Sequence, residues 1–153
     1  MSVSERQIHR KVITAIRELF RRDRSLLEND LNERTITHKL GVYVQGQFRG
    51  WNVDCEYNRN HDDAKRLDLN ARPTRTNDTQ GQTVFPDIIV HRRRSDANLL
   101  VIELKKSTNR ERSDYDVRKL RAFKAQLGYR YAVFVKLQTG MRPRRRAYGL
   151  QWI

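Results

Sequence analysis

The chain has 153 residues, with 32 Lys+Arg against 18 Asp+Glu and a net charge of +14, so it is long enough for one buried core and too short for two. Its single cysteine, Cys55, excludes an internal disulfide and argues against a cysteine zinc site, and no apolar run approaches the roughly 18 residues of a membrane span. The opening MSVSERQIHRK lacks the apolar stretch of a signal peptide, which leaves the expectation of one soluble domain over 1–153 in a reducing cytoplasm, with no membrane partner.

Ser4 and Gln7 form a capping-box pattern, and Ile8, Val12, Ala15, Ile16, Leu19 and Phe20 then recur at three and four residues, which predicts an amphipathic helix over 4–22. A second helix is expected from Asn29 or Asp30 to about Gln47, with Ile36, Leu40, Tyr43 and Val44 on its inward stripe and Glu33 in line with them. WNVDCEY, Trp51 to Tyr57, alternates like a half-buried strand, placing Val53, Cys55 and Tyr57 on the core face and Asp54 and Glu56 on the other. Asp54 and Glu56 then suit surface arginine partners. From Asn58 to Thr83 the chain is polar, with Pro73 and Gly81, and reads as an insert too long for an ordinary loop.

Residues 84–91 and 98–105 read as two apolar strands joined by an arginine-rich turn, with His91 near the turn as a surface group. Ser113 or Asp114 caps a further helix with Val117, Leu120, Phe123 and Leu127 as its stripe and Gly128 as its end. YAVFVKL, Tyr131 to Leu137, has the continuous apolar character of a central strand, and the tail AYGLQWI suits an edge strand. Trp51 and Trp152 are assigned to the core. His9, His38, His61 and His91 have no spacing that would make a metal cluster. The predicted class is α/β (α+β), a mixed sheet flanked by helices.

A hairpin centred on Ser95 sets Ile89 opposite Val101, His91 opposite Leu99 and Asp87 opposite Glu103, with Lys105 on the face of Glu103. Taken singly, Asp87 is a turn former before a strand, and Glu103 with Lys105 are solvated strand-end charges. Together they bring two carboxylates and a lysine to one place. Unit charges about 4 Å apart repel by about 4 kcal/mol at an effective dielectric near 20, so the pair is costly unless a cation or a shared proton relieves it, and a divalent metal is the natural remedy. The hard oxygen donors suit Mg²⁺ or Mn²⁺.

Pro86-Asp87 and Glu103-Leu104-Lys105, in the order helix, three strands, helix, strand, resemble the PD-(D/E)XK nuclease superfamily, the restriction-endonuclease-like fold with an α-βββ-α-β core, over about residues 30–138. The resemblance implies that Asp87, Glu103 and the Leu104 carbonyl bind the metal, that Lys105 serves the hydrolytic water, and that Glu33 assists from the preceding helix. It implies a metal-dependent nuclease, with DNA favoured over RNA as substrate. The basic groups Arg92, Arg93, Arg94, Lys106, Arg110, Arg144 and Arg145 are the expected phosphate contacts; without interleaved aromatics they position nucleic acid rather than read bases. A homodimer is one way for so small a nuclease to cut both strands. The alternatives are a catalytically silent nucleic-acid-binding protein on the same fold, acting as a subunit or regulator of a larger complex, and a basic protein that binds an acidic partner.

Overall fold

The computed structural model describes residues 4–60, 63–69, 82–140 and 147–153. Helix α1 (Glu5–Arg22) begins at the capping box, where Ser4 N donates to Gln7 Oε1 at 3.2 Å. It buries Ile8, Val12, Ala15, Ile16 and Leu19, the expected stripe. A short helix α2 (Arg24–Glu28) follows, and then α3 (Glu33–Gln47). The second predicted helix therefore starts later than Asn29 or Asp30. Asp30 is held at φ 48°, which a helix does not accept, and Asn32 Oδ1 takes the Thr35 N–H at 2.8 Å as the true cap.

Strand β1 (Asn52–Cys55) is shorter than the alternating run of Trp51 to Tyr57, because Glu56 adopts φ 50° and breaks the alternation. Val53 thus packs against one core cluster and Tyr57 against another. Within the polar insert, β2 (Arg59–Asn60) pairs with β3 (Asp63–Ala64), and β4 (Arg66–Leu67) with β5 (Gln82–Thr83). Lys65 fastens this region to the body of the protein. It is 1% exposed, donates to the Tyr57 carbonyl at 3.0 Å and lies over the Tyr57 ring, and burial lowers its pKa to about 8.

Strands β6 (Ile88–His91) and β7 (Asn98–Lys106) form the expected antiparallel pair, with Ile88 opposite Ile102, Ile89 opposite Val101 and Val90 opposite Leu100. A bulge between Val90 and His91 then shifts the register, so His91 faces Asn98 instead of Leu99. Helix α4 (Asp114–Leu127) ends at Gly128 in the left-handed conformation and leads into β8 (Tyr131–Leu137), parallel to β7. The tail supplies β9 (Tyr148–Trp152), antiparallel to β8.

The main sheet runs β1-β6-β7-β8-β9. On one face Ile88, Val90, Leu100, Ile102, Leu104, Val133 and Val135 pack under α1, α2 and α3, with Trp51 and Trp152 partly buried at the margin. On the other, Ile89, Val101, Ala132 and Phe134 pack under Leu120 and Phe123 of α4. Helices on both faces explain why β7 reads as an almost unbroken apolar run, buried on both sides. Each fully buried Leu, Ile, Val or Phe side chain contributes about 1.5–3 kcal/mol to holding these layers together. No described helix is long and apolar enough to cross a membrane.

Candidate active site

The hairpin brings Asp87 and Glu103 together at its open end. Asp87 N donates to Glu103 Oε1 at 3.4 Å, and Asp87 Oδ2 accepts the Leu104 N–H at 2.7 Å, so the two acids face each other across neighbouring strands. Glu103 is 2% exposed. Burial, joined by the repulsion of Asp87, pushes its carboxyl well above the usual range. Burial also raises Asp87, to about 6, with Glu33 and Asp116 adding to the effect and the Leu104 N–H and Lys119 opposing it.

Helix α4 contributes two charges to this cluster that the sequence reading did not assign. Lys119 Nζ lies 2.7 Å from Glu103 Oε2 and donates to the Phe85 carbonyl at 2.9 Å. Burial alone would depress its pKa, but Glu103 and Asp87 hold it above the ordinary lysine value. Asp116, one turn earlier, places Oδ2 at 2.7 Å from Lys105 Nζ, although that oxygen has no partner in hydrogen-bond geometry. Lys105 also reaches the carbonyls of Glu111 and Arg112, each at 3.4 Å. Lys105 does share the face of Glu103, but its ammonium is directed at the loop entering α4. The signal in the sequence was positional: residues 116 and 119 fall on the same helical stripe as Leu120, Phe123 and Leu127.

Glu33 opens α3 and lines a cleft of about 350 Å³ with Arg34, Thr37, His38, Cys55, Glu56 and Asp87. Its Oε2 accepts from Lys106 N at 3.0 Å and from Asn109 Nδ2 at 3.3 Å, tying α3 to the end of β7. Arg34 pairs with Glu56 at 3.1 Å. Cys55, assigned to the core from its alternation, is exposed at this cleft. Its Sγ is nevertheless turned towards α3, 3.9 Å from the Thr37 carbonyl. Burial of the thiol, with Asp87, Asp54 and Glu56 nearby, pushes its pKa up to about 11, so it is no ready nucleophile.

The basic residues expected to meet phosphate are dispersed. Arg92, Arg93 and Arg94 occupy the turn at the far end of the β6–β7 pair, roughly 13 Å or more from Asp87 at the strand rise. Arg92 lies over the Trp51 ring and Arg93 is paired with Asp54. Lys106 Nζ is 3.0 Å from Asp30 Oδ1 and donates to the Leu31 carbonyl at 2.9 Å. Arg110 is exposed beyond β7, while Arg144 and Arg145 lie outside the described residues. His91, expected at the surface, is 3% exposed and bonds Asp54 Oδ2 through Nε2 at 2.8 Å, because strand alternation puts it on the covered face of β6 with Ile89, next to Asp54 of β1. Burial lowers its pKa despite that contact. Asp54 does find its arginine, and the Arg93 and His91 contacts outweigh burial to hold its pKa low.

Among the described residues, no three His, Cys, Asp or Glu side chains group so as to hold a metal ion between them. The donors that face each other at the hairpin are the two carboxylates of Asp87 and Glu103. That chemistry fits a hard divalent cation that keeps several waters. Asp87, Glu103, Asp116 and Glu33 outnumber Lys105 and Lys119, so with all four acids ionised the cluster would carry excess negative charge, which a bound cation or proton relieves. Comparison with protein-family models, curated proteins and solved structures returns no match.

Proposed function

We propose that the protein is a metal-dependent nuclease that hydrolyses phosphodiester bonds, DNA more than RNA, on a restriction-endonuclease-like core. The observation that carries this reading is the facing of Asp87 and Glu103 at the open end of β6 and β7, next to a cleft, in a chain of net charge +14. Asp87, Glu103 and the Leu104 carbonyl would hold Mg²⁺ or Mn²⁺, which when bound supplies Lewis-acid stabilisation and a water of lowered pKa. In the hydrolysis the water oxygen bonds to phosphorus, the ester P–O bond breaks, and one water proton ends on the departing oxygen. An ammonium beside the carboxylates steadies the charge that develops. The resemblance assigns this to Lys105, and Lys119 is the second ammonium of the cluster. Glu33 holds the end of β7 in place through Lys106 N.

The test is cleavage of supercoiled plasmid and of a single-stranded oligonucleotide in Mg²⁺, Mn²⁺ or EDTA, with Asp87→Asn and Glu103→Gln alongside. Metal-dependent cutting that disappears in both variants supports the nuclease. Cutting that survives in both overturns the assignment.

One observation favours the silent alternative: Glu103 is already paired with Lys119 and Lys105 with Asp116, all largely withdrawn from solvent. A nucleic-acid-binding protein on this fold would bind with steep salt dependence, from counterion release, and with no response to Mg²⁺ beyond ionic strength.

A further inference from the structure

The two ammonium groups of the cluster do different things. Lys105 points along β7 towards Asp116 and the carbonyls of Glu111 and Arg112, and so secures the loop that enters α4. Lys119 reaches across from α4 to both strands of the hairpin, to Glu103 Oε2 at 2.7 Å and to the Phe85 carbonyl at 2.9 Å, two residues before Asp87. A carboxylate as buried as Glu103 keeps its charge only with a counter-ion at hand. Lys119 is that counter-ion, and it holds one of the two oxygens that Glu103 could offer a metal ion.

We propose that Lys119 is a resident counter-cation that competes with the divalent ion for the Glu103 carboxylate, so that the metal enters only as the Lys119–Glu103 contact opens. The inference rests on the metal site proposed above. It makes Lys119 a positioning residue that sets metal affinity, and it explains how two buried acids are tolerated side by side before any ion arrives. Lys105 has no part in that competition, because its ammonium is turned to Asp116.

The experiment is calorimetric titration of the full chain with Mn²⁺ alone, together with melting in EDTA and in Mn²⁺, for the wild type, Lys119→Met, Lys119→Arg, Lys105→Met and Asp87→Asn. Lys119→Met is expected to melt lower in EDTA, to recover in Mn²⁺, and to bind Mn²⁺ at least about tenfold more tightly than the wild type. Lys119→Arg retains the charge and stays within about threefold of the wild type. Lys105→Met also melts lower, but its Mn²⁺ affinity stays within about threefold. Should Lys119→Met fail to fold, Lys119→Gln replaces it, keeping a donor for Phe85 without the charge. Wild-type Mn²⁺ binding that is lost in Asp87→Asn yet no tighter in Lys119→Met overturns this inference alone. Absence of Mn²⁺ binding in every variant overturns the metal site and the inference with it.

Discussion

Removing the charge of Asp87 should stabilise the metal-free protein, and by more as the pH rises. The carboxyl is driven from 3.8 up to about 6, first by burial and then by Glu33 and Asp116. A group whose folded-state pKa is raised contributes stability fully below its unfolded value, and that contribution is lost as pH climbs through the folded value. At about 1.36 kcal/mol per pH unit, the interval from 3.8 to about 6 amounts to roughly 3 kcal/mol of destabilisation from ionising Asp87 in place. Asp87→Asn removes that cost, keeps an oxygen for the Leu104 N–H, and relieves the adjacent Glu103. Urea unfolding in EDTA should therefore give variant and wild type similar stability at pH 4 and below, with the variant pulling ahead through pH 4–6 and the gap levelling off at roughly 3 kcal/mol by pH 7. For a chain of this size the melting temperature should rise by about 6–12 °C at pH 8. Added Mn²⁺ should narrow the gap, since only the wild type gains binding energy from it. A gap that does not change between pH 4 and pH 8 would refute the claim that buried repulsion governs this pair.

Asp54→Ala should leave the buried His91 N–H without its acceptor and cost about 1–3 kcal/mol, read from the urea midpoint at pH 7; a loss under about 0.5 kcal/mol would mean that the Asp54 contacts with His91 and Arg93 do little for stability. At Gly41 an added Cβ would come within 2.7 Å of Cys55 Sγ. Gly41→Ala should thus fail to deliver the helix-propensity gain of about 1 kcal/mol until Cys55→Ala is introduced with it, and a double-mutant cycle should show coupling of at least about 0.5 kcal/mol. Additive single effects would place the two residues out of contact. Gly128→Ala, at the left-handed cap with φ 68°, should lower stability by about 1 kcal/mol through strain at the end of α4, measurable as a shifted melting temperature.

The sequence by itself determined the parts of this protein that rest on local chemistry. The box at Ser4 and Gln7, the stripes of α1 and α4, and the glycine after Leu127 set the helices where the spacing predicted. The apolar runs of β6 and β7 with a short turn between them determined the register that faces Asp87 with Glu103, because in a hairpin the length of the turn fixes which residues stand opposite one another. The tertiary structure decided what no local pattern records. Left-handed residues at Asp30 and Glu56 moved the start of α3 and ended β1, and the layers packed over β6 buried His91. The partners of Glu103 and Lys105 were decided by how α4 lies on the sheet. Periodicity states that positions 116 and 119 face inward, but which buried charge meets which depends on a crossover between elements far apart in sequence. Opposite charges on a core-facing stripe therefore signalled an ion-pair network, and only the packing of α4 against β7 identified its members.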